Sequence, residues 1–444
     1  MKEAFDIAVV GSGAAGIAAA VSAARAGAKS LLLDQHSAAG GTGGFSGLTT
    51  LCGLFDDQGK FLNEGFAREF AEALCAESLG AHASRVPFSA SRRKSQNTNF
   101  PAPEILNNLS DESSGATPEL TRGTRGLPIR PLRMGRVWVL PYRPEKFRAV
   151  AESFFSATPN LQTRWNTPLK NVLVENQRII SLNEFAVGAV IDCSGTAEVA
   201  RLAGADCLVT DETTQAPAVV FSLQNVTREF SSPAAVAKVL LPLARAGFPP
   251  LNFQASLEPD TLTMKFTGRA DQVFDVINFL RANVAGFENC VAAQGSSGTG
   301  ILPVESVFKT GEGGQQKLDR QDACPTAFVA TPRAGRMVIG EYVLTGTDVL
   351  GAKKFPDAAV RAAWPVEQWS ADGVVRYRFL PPGAHYEIPA RSLRAAKIKN
   401  LFMAGKTISA DADAIASARV MGGCLATGAA AGYLAARDLE STSK

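Results

Sequence analysis

Asp6-Ile-Ala-Val-Val-Gly-Ser-Gly-Ala-Ala-Gly-Ile-Ala-Ala-Ala20, continuing to Asp34, is the stretch that decides the fold. Ile7 to Val10 is a short apolar run, the pattern of a buried parallel strand. Gly11, Gly13 and Gly16 follow it in G-x-G-x-x-G spacing. The alanine-rich run from Ala14 to Ala26 predicts a helix that stops at Gly27. Leu31 to Leu33 predict a second buried strand, with Asp34 at its end, 23 residues after Gly11. Each part has a physical task. Gly11 permits the tight turn, Gly13 lets backbone approach a pyrophosphate, and Gly16 lets helix pack closely on strand. The helix N-terminus offers free N–H groups and a positive dipole end to phosphate, and Asp34 is placed to accept hydrogen bonds from a ribose. A strand, three spaced glycines, a helix and a second strand ending in an acid together predict a dinucleotide site.

The rest of the composition narrows the class. A chain of 444 residues with 46% hydrophobic and 20% charged content is expected to be soluble, globular and of two or three domains. The net charge of +3 comes without a basic tail or an aromatic-interleaved basic run, so nucleic acid is not an expected partner. No stretch supplies the roughly 20 apolar residues of a membrane span. The first strand begins so near Met1 that no signal peptide is expected. Seven scattered cysteines without a C-x-x-C fit a reducing cytoplasm and give no zinc or cluster signature. Histidines at 36, 82 and 385 are too dispersed to suggest a metal site.

Further along, Gly40-Gly-Thr-Gly-Gly44 reads either as backbone lying against a ligand or as a flexible loop. Phe61 to Leu79 predict a helix with Phe66, Phe70, Ala73 and Leu74 on one face. Residues 86–135 lack apolar period and read as an irregular insertion, either solvated or a substrate lid. Order resumes with Trp138-Val-Leu140 and a helix from about Pro144 to Phe155. Strands follow near 163–165, 170–175 and 178–183, with Asn176-Gln177 as a turn. Ala189 to Asp192 is another buried strand, and its Asp192 and Gly195 fall where doubly wound sheets bind ligands. From Cys207 to Gly383 the pattern becomes that of an α+β unit, interrupted near 295–325 by a tract that suits neither helix nor strand. The chain closes with a strand from Leu401 to Ala404 and a long helix of small residues.

Several of these motifs carry a family resemblance. The opening fingerprint, Val190-Ile-Asp-Cys-Ser-Gly195 and Asn400-Leu-Phe-Met-Ala-Gly-Lys-Thr-Ile-Ser409 resemble FAD-dependent oxidoreductases of the glutathione-reductase fold. More narrowly, Arg336-Met-Val-Ile-Gly-Glu-Tyr-Val-Leu-Thr345 and Ser417-Ala-Arg-Val-Met-Gly-Gly-Cys424 resemble the "FAD-dependent oxidoreductase" family. That family is related to fumarate-reductase-type flavoproteins and heterodisulfide reductase flavin subunits. The resemblance implies an α/β protein: a discontinuous Rossmann-like FAD-binding domain over 1–85, 136–206 and 384–440, with an inserted α+β substrate domain over 207–383. It implies that Gly11, Gly13, Ala14, Ala15 and Gly16 cradle the pyrophosphate and that Asp34 holds the adenosine ribose. Gly41 and Thr42 would pass the pyrophosphate or ribityl chain, Val172 the adenine with Gly195 packed near it, and Gly405 the ribityl chain. Val420, Met421, Gly422 and Gly423 would face the pyrimidine end of the flavin, where a helix N-terminus stabilises the charge of the reduced ring. An acid often found after the second glycine motif is here Lys406, with Asp411 or Asp413 as substitutes.

The reactive end is less marked. Arginines with their fork geometry suit an anionic substrate, and Arg336, Arg391 and Arg419 are the candidates, with Arg333 nearby. His385 or Tyr386 is the candidate acid or base. Structural ion pairs for Arg336 and Arg391, a surface position for His385 and simple packing for Cys52 are the competing readings. The sequence therefore predicts a cytoplasmic FAD-dependent oxidoreductase exchanging a hydride between flavin N5 and a small polar or anionic organic substrate. The alternatives are a flavin electron-transfer subunit acting with a redox partner protein and a non-catalytic flavin-binding protein.

Overall fold

The fold was taken from a computed structural model describing residues 3–76, 129–209, 215–227, 233–249, 251–254, 257, 261–292, 330–331, 333, 335–370 and 375–442. Its organising layer is a seven-stranded sheet. Ala4–Val10 lies at the centre, paired in parallel with Ser30–Leu33 on one side and Phe185–Asp192 on the other. Leu161–Arg164 extends the sheet beyond Ser30–Leu33, again in parallel. Strands buried on both faces need continuous apolar sequence, and Ile7, Ala8, Val9, Leu31 and Leu32 are fully buried. The helix Ala14–Arg25 crosses between the first two strands. The antiparallel hairpin Val172–Glu175 and Arg178–Leu182 turns through Asn176 and Gln177, both at positive φ, as the sequence predicted.

Two elements share one edge of Phe185–Asp192. The hairpin strand pairs only with its start, at Phe185 and Ala186, while Leu401–Met403 pairs in parallel with Val190 to Asp192. Asn400 bridges the gap between them. Its buried amide accepts from Ile179 N–H at 2.8 Å and donates to the carbonyls of Ile179 at 2.7 Å and Gly188 at 2.8 Å. Asn400→Leu should leave these three backbone groups without partners, at roughly 1–3 kcal/mol for each one that stays buried and unsatisfied. A urea midpoint unchanged by the substitution would contradict this bridging role.

The last helix, Met421–Thr442, lies against Ala14–Arg25 because its facing residues are glycine. A Cβ at Gly428 would sit 2.1 Å from the Ala15 carbonyl oxygen, and one at Gly432 would sit 2.4 Å from that of Ala19. No single helix is long and apolar enough to cross a membrane among the described residues. Ala412–Ala418 and the last helix pass such a test only as a pair bent by 95°.

A second sheet is antiparallel, in the order Leu251–Gln254, Leu262–Thr267, Ala218–Gln224, Val291–Ala292, with Ala330–Thr331 also on Ala218–Gln224. Its alternation assigns two faces. Val219, Phe221, Leu223, Leu262, Met264 and Phe266 form a core with the helix Gln272–Asn283, whereas Ala218, Val220 and Lys265 point to the opposite side. This second core spans Val219 to Cys290, while Leu344, Val349, Val360, Val366 and Leu380 pack into the first core. The packing thus divides the stretch 207–383, since Val338 joins a further core with Ala8, Val10 and Leu31.

Two sequence expectations differ in extent. The helix expected over 61–79 is seen as Phe66–Cys75, with Gly65 at its N-cap and residues beyond 76 outside the described set. The end of the expected irregular insertion is ordered: Leu132–Met134 pairs with Val137–Pro141, which pairs with Thr50–Cys52. The remainder of that insertion up to residue 128, and the tract at 295–325, lie outside the described residues.

Candidate functional site

A cavity of about 970 Å³ opens between the two sheets. It begins at the carboxyl ends of the central strands, where the first turn holds Gly11 at φ +98°, and a Cβ there would meet the Cys193 carbonyl oxygen at 2.5 Å. Gly16 is closed by protein: its Cβ would lie 1.6 Å from the Gly11 carbonyl oxygen. Gly13 is different. Its backbone is extended, and the nearest atom to an added Cβ is the Gly41 Cα at 4.0 Å, so the space in front of it belongs to the cavity.

Asp34 lines this end and is buried. Its Oδ2 accepts from the backbone N–H and hydroxyl of Ser12, both at 2.6 Å. Its Oδ1 accepts from the His36 N–H at 2.9 Å and lies 2.8 Å from Nδ1 of that ring. The carboxylate is thereby fixed at the tip of its strand, with Ser12 and His36 as neighbours whose hydroxyl and ring can turn toward a ribose. Asp192 has a structural part instead. It accepts from Ser194 N–H and hydroxyl and from Ala200 N–H, tying the Gly195 turn to the helix Glu198–Leu202. Burial raises its pKa against those donors.

The cavity continues past Gly41, Thr42, Gly195, Gly405 and Lys406 to Val420 and Met421. Lys406 stands over Gly195, its Cε 3.0 Å from where a Cβ would be. Arg419 closes Ala412–Ala418, and the 95° bend after it points the start of the last helix into the cavity.

At the far end the second sheet contributes a row across three strands, Asn252, Lys265 and Val220, which are register partners and all line the cavity. Facing them is the hairpin Val366–Trp369 and Val375–Arg378, in which Glu367 pairs with Tyr377. Glu367 accepts from the indole N–H groups of Trp364 at 3.0 Å and Trp369 at 2.6 Å, and from the Tyr377 hydroxyl at 3.5 Å. Burial alone would raise its pKa; Lys265, Arg419 and the indole donors more than offset that and hold it below the usual carboxylate range. The Trp369 ring carries two cations, the Arg333 guanidinium at 3.9 Å and the Lys265 ammonium at 4.3 Å. Arg333 donates through Nη1 to the Ala216 carbonyl at 2.7 Å, and Arg419 through Nη2 to Gln215 Oε1 at 3.0 Å. The Arg333 Nη2 and Arg419 Nε are buried without a hydrogen-bond partner among the described residues. Burial, then the neighbouring Arg419, pushes Arg333 down to about 9. Burial also lowers Lys265 and raises the Cys52 thiol to about 12, so Cys52 is an unreactive protonated group.

The structure sorts the expected residues. Gly11, Gly13, Ala14, Ala15, Asp34, Gly41, Thr42, Gly195, Gly405, Val420 and Met421 line the cavity. Gly16, Gly422 and Gly423 do not, because they pack on backbone: Gly422 on Gly53 and Gly423 on the Ala418 carbonyl. Val172 lies on the outermost hairpin strand and packs into the core, and Thr167, Pro168 and Leu169 take the cavity wall on that side. Of the four expected catalytic groups only Arg419 is in the cavity. Arg336 is exposed on a strand paired with Cys207–Val209. Arg391 is exposed and bonded to Asp357 at 3.0 Å, the structural ion pair weighed as its alternative. His385 is outside the cavity wall, its pKa lowered by burial and then by Lys354 and Arg361, and Tyr386 is buried against Ser417 at 2.8 Å. Lys265, Glu367, Trp369 and Gln215 were missed. The available signals were a lysine inside the apolar strand Leu262–Thr267 and a carboxylate between two tryptophans at 364–369.

The family model described as "FAD dependent oxidoreductase" matches residues 6–258 and 249–444. No curated protein matches the chain. Among solved structures, the chain is similar to a geranylgeranyl bacteriochlorophyll reductase-like protein from Thermoplasma acidophilum, at 11% identity and a TM-score of 0.39, over 99% of this chain and 79% of that one. It is also similar to GidA from Aquifex aeolicus, at 13% identity and a TM-score of 0.46, over 99% of this chain and 64% of that one. A third is an aromatic hydroxylase from angucycline biosynthesis, at 10% identity and a TM-score of 0.40, over 91% of this chain and 56% of that one. Likenesses of this size carry no information about substrate.

Proposed function

The chain belongs to the FAD dependent oxidoreductase family, and on that footing we propose that it exchanges a hydride between flavin N5 and a small anionic or polar organic substrate. The observation that carries the reading is continuity: one cavity runs from the dinucleotide turn and Asp34 to Lys265, Arg333 and Arg419. The first half fits FAD, because the open space before Gly13 and the glycine backbones of 41, 195 and 405 leave room along a cofactor's length. Gly11 to Ala15, Asp34, Thr42 and Lys406 would hold its ADP and ribityl parts, and Val420 and Met421 the flavin. Bound FAD supplies the hydride donor or acceptor.

The remaining work belongs to the chain. Arg333 and Arg419, both in the cavity wall, orient the anionic group through their guanidinium charge. Lys265 Nζ handles the proton: in substrate oxidation it takes the O–H or N–H proton as the C–H pair leaves as hydride, and in reduction it returns that proton. Trp364, Trp369 and Val220 keep this end dry, which strengthens each charged contact. The test is anaerobic addition of small acids, alcohols, amines and sugars to the flavin-loaded protein. Bleaching of the band near ~450 nm by an acid supports the reading; a flavin that photoreduces but is bleached by none of them contradicts it. Electron transfer with a partner protein is a second reading. It draws on Met134, Tyr377 and Phe379, which line the cavity and are exposed by 39%, 45% and 37%. Bleaching only in the presence of an added redox protein would favour it.

A further inference from the structure

We propose that the substrate end of this cavity selects a small organic dianion over a singly charged acid. The inference rests on the reading of the cavity as a flavin enzyme's and goes further, by counting charge. Lys265, Arg333 and Arg419 bring three cations to this end, with Arg136 over Phe379 at its exposed rim, and Glu367 is the carboxylate set against them. With Lys265 as the ammonium, two positive charges of this set remain uncompensated. Cys52 and Tyr377 do not change the count, since a thiol and a phenol are both protonated at neutral pH.

Glu367 is also largely spent as an acceptor. Three of its roughly four lone-pair positions face Trp364, Trp369 and Tyr377. Its hydrogen bonds among the described residues go to these three rings and to none of the three cations. The cationic side is not saturated in this way: Arg333 Nη2 and Arg419 Nε are shut in by protein and have no hydrogen-bond partner among the described residues. Arg333 itself is only 9% exposed. Guanidinium charges held in a partly buried cavity wall are costly without a counter-charge, and an anion entering the cavity offsets that cost. The two arginines come from segments on opposite sides of the hairpin, one bonded to the Ala216 carbonyl and the other to Gln215. Residues 215 and 216 are adjacent, so the two guanidinium groups are held by one short segment. Repulsion between them helps lower Arg333. A ligand with two negative groups on a compact body answers both arginines, with Lys265 beside Arg333 on the Trp369 ring.

Two chemistries share this description, a dicarboxylate and a phosphate monoester. Binding can be followed at pH 6.5–7 by tryptophan fluorescence, because Trp364 and Trp369 line the site. The probes are succinate, glycerol 2-phosphate, propionate and succinamide. A charge-assisted contact more should make the favoured dianion bind roughly 10- to 100-fold more tightly than propionate. Whichever of succinate and glycerol 2-phosphate is favoured identifies the class. Arg333→Gln should bring the dianion close to parity with propionate while flavin content and thermal midpoint stay near those of the parent; Arg333→Lys should restore part of the preference. Equal affinity for dianion and propionate, binding of neither, or a preference that survives Arg333→Gln overturns the proposal. A protein that takes up no flavin refutes the enzyme reading separately, since the fluorescence measurement does not depend on flavin.

Discussion

Gly13→Val is expected to give a folded protein that has lost its FAD. The two consequences separate because of where the glycines sit. At Gly16 a Cβ would lie 1.6 Å from a backbone oxygen, so any side chain there disrupts the turn itself. Gly13 has extended backbone, with φ −72° and ψ −173°, which valine adopts freely, and its added Cβ would meet nothing nearer than 4.0 Å. The branched side chain therefore projects into the cavity at the place where a pyrophosphate needs bare backbone. The measurement is flavin absorbance per mole of purified protein, alongside far-UV circular dichroism and a melting curve. Full flavin retention by a folded variant would remove the cofactor from this turn.

Lys265→Met is expected to lower kcat by about 10²- to 10⁴-fold, the usual cost of removing a positioned acid or base. Methionine keeps the length of the side chain and its contact with Trp369 while deleting the proton. The pH profile separates this from loss of packing. Burial, together with Arg333 and Arg419, lowers the lysine, and Glu367 opposes that shift. The ammonium is therefore lost at a lower pH than in solution. Substrate reduction requires the ammonium, so its rate holds at low pH and falls as pH rises through the lowered pKa. Substrate oxidation requires the amine and rises through the same pKa. In the methionine variant both limbs should vanish. A variant that keeps its limb, or its rate within a small factor, excludes Lys265 as the proton carrier.

The turn and the acid at the strand end of the cavity were legible because they are local. Strand, G-x-G-x-x-G turn, helix and Asp34 occupy one short run, and their spacing is imposed by one turn and one helix length. The closing strand Leu401–Met403 and the small-residue helix after it were readable for the same reason. The substrate end was not. Lys265, Glu367 and Arg419 meet only because two sheets and a helix bend converge, and no spacing in the chain records that. Arginine alone was a poor guide, since Arg391 meets Asp357 and Arg336 faces outward. What distinguishes Arg419 and Arg333 is burial without full hydrogen bonding, a property of the packing. Val172 illustrates the same limit: its strand was read correctly, but the hairpin carries it to the sheet edge, away from the cavity wall.

The most direct test of the account is an experimental structure of the protein loaded with FAD. It should show the adenosine against Asp34 and the pyrophosphate before Gly13, with the flavin ring beside Val420 and Met421 and within reach of Lys265 and Arg419. A ring lying at the Asp34 end, or a cofactor outside this cavity, would contradict it.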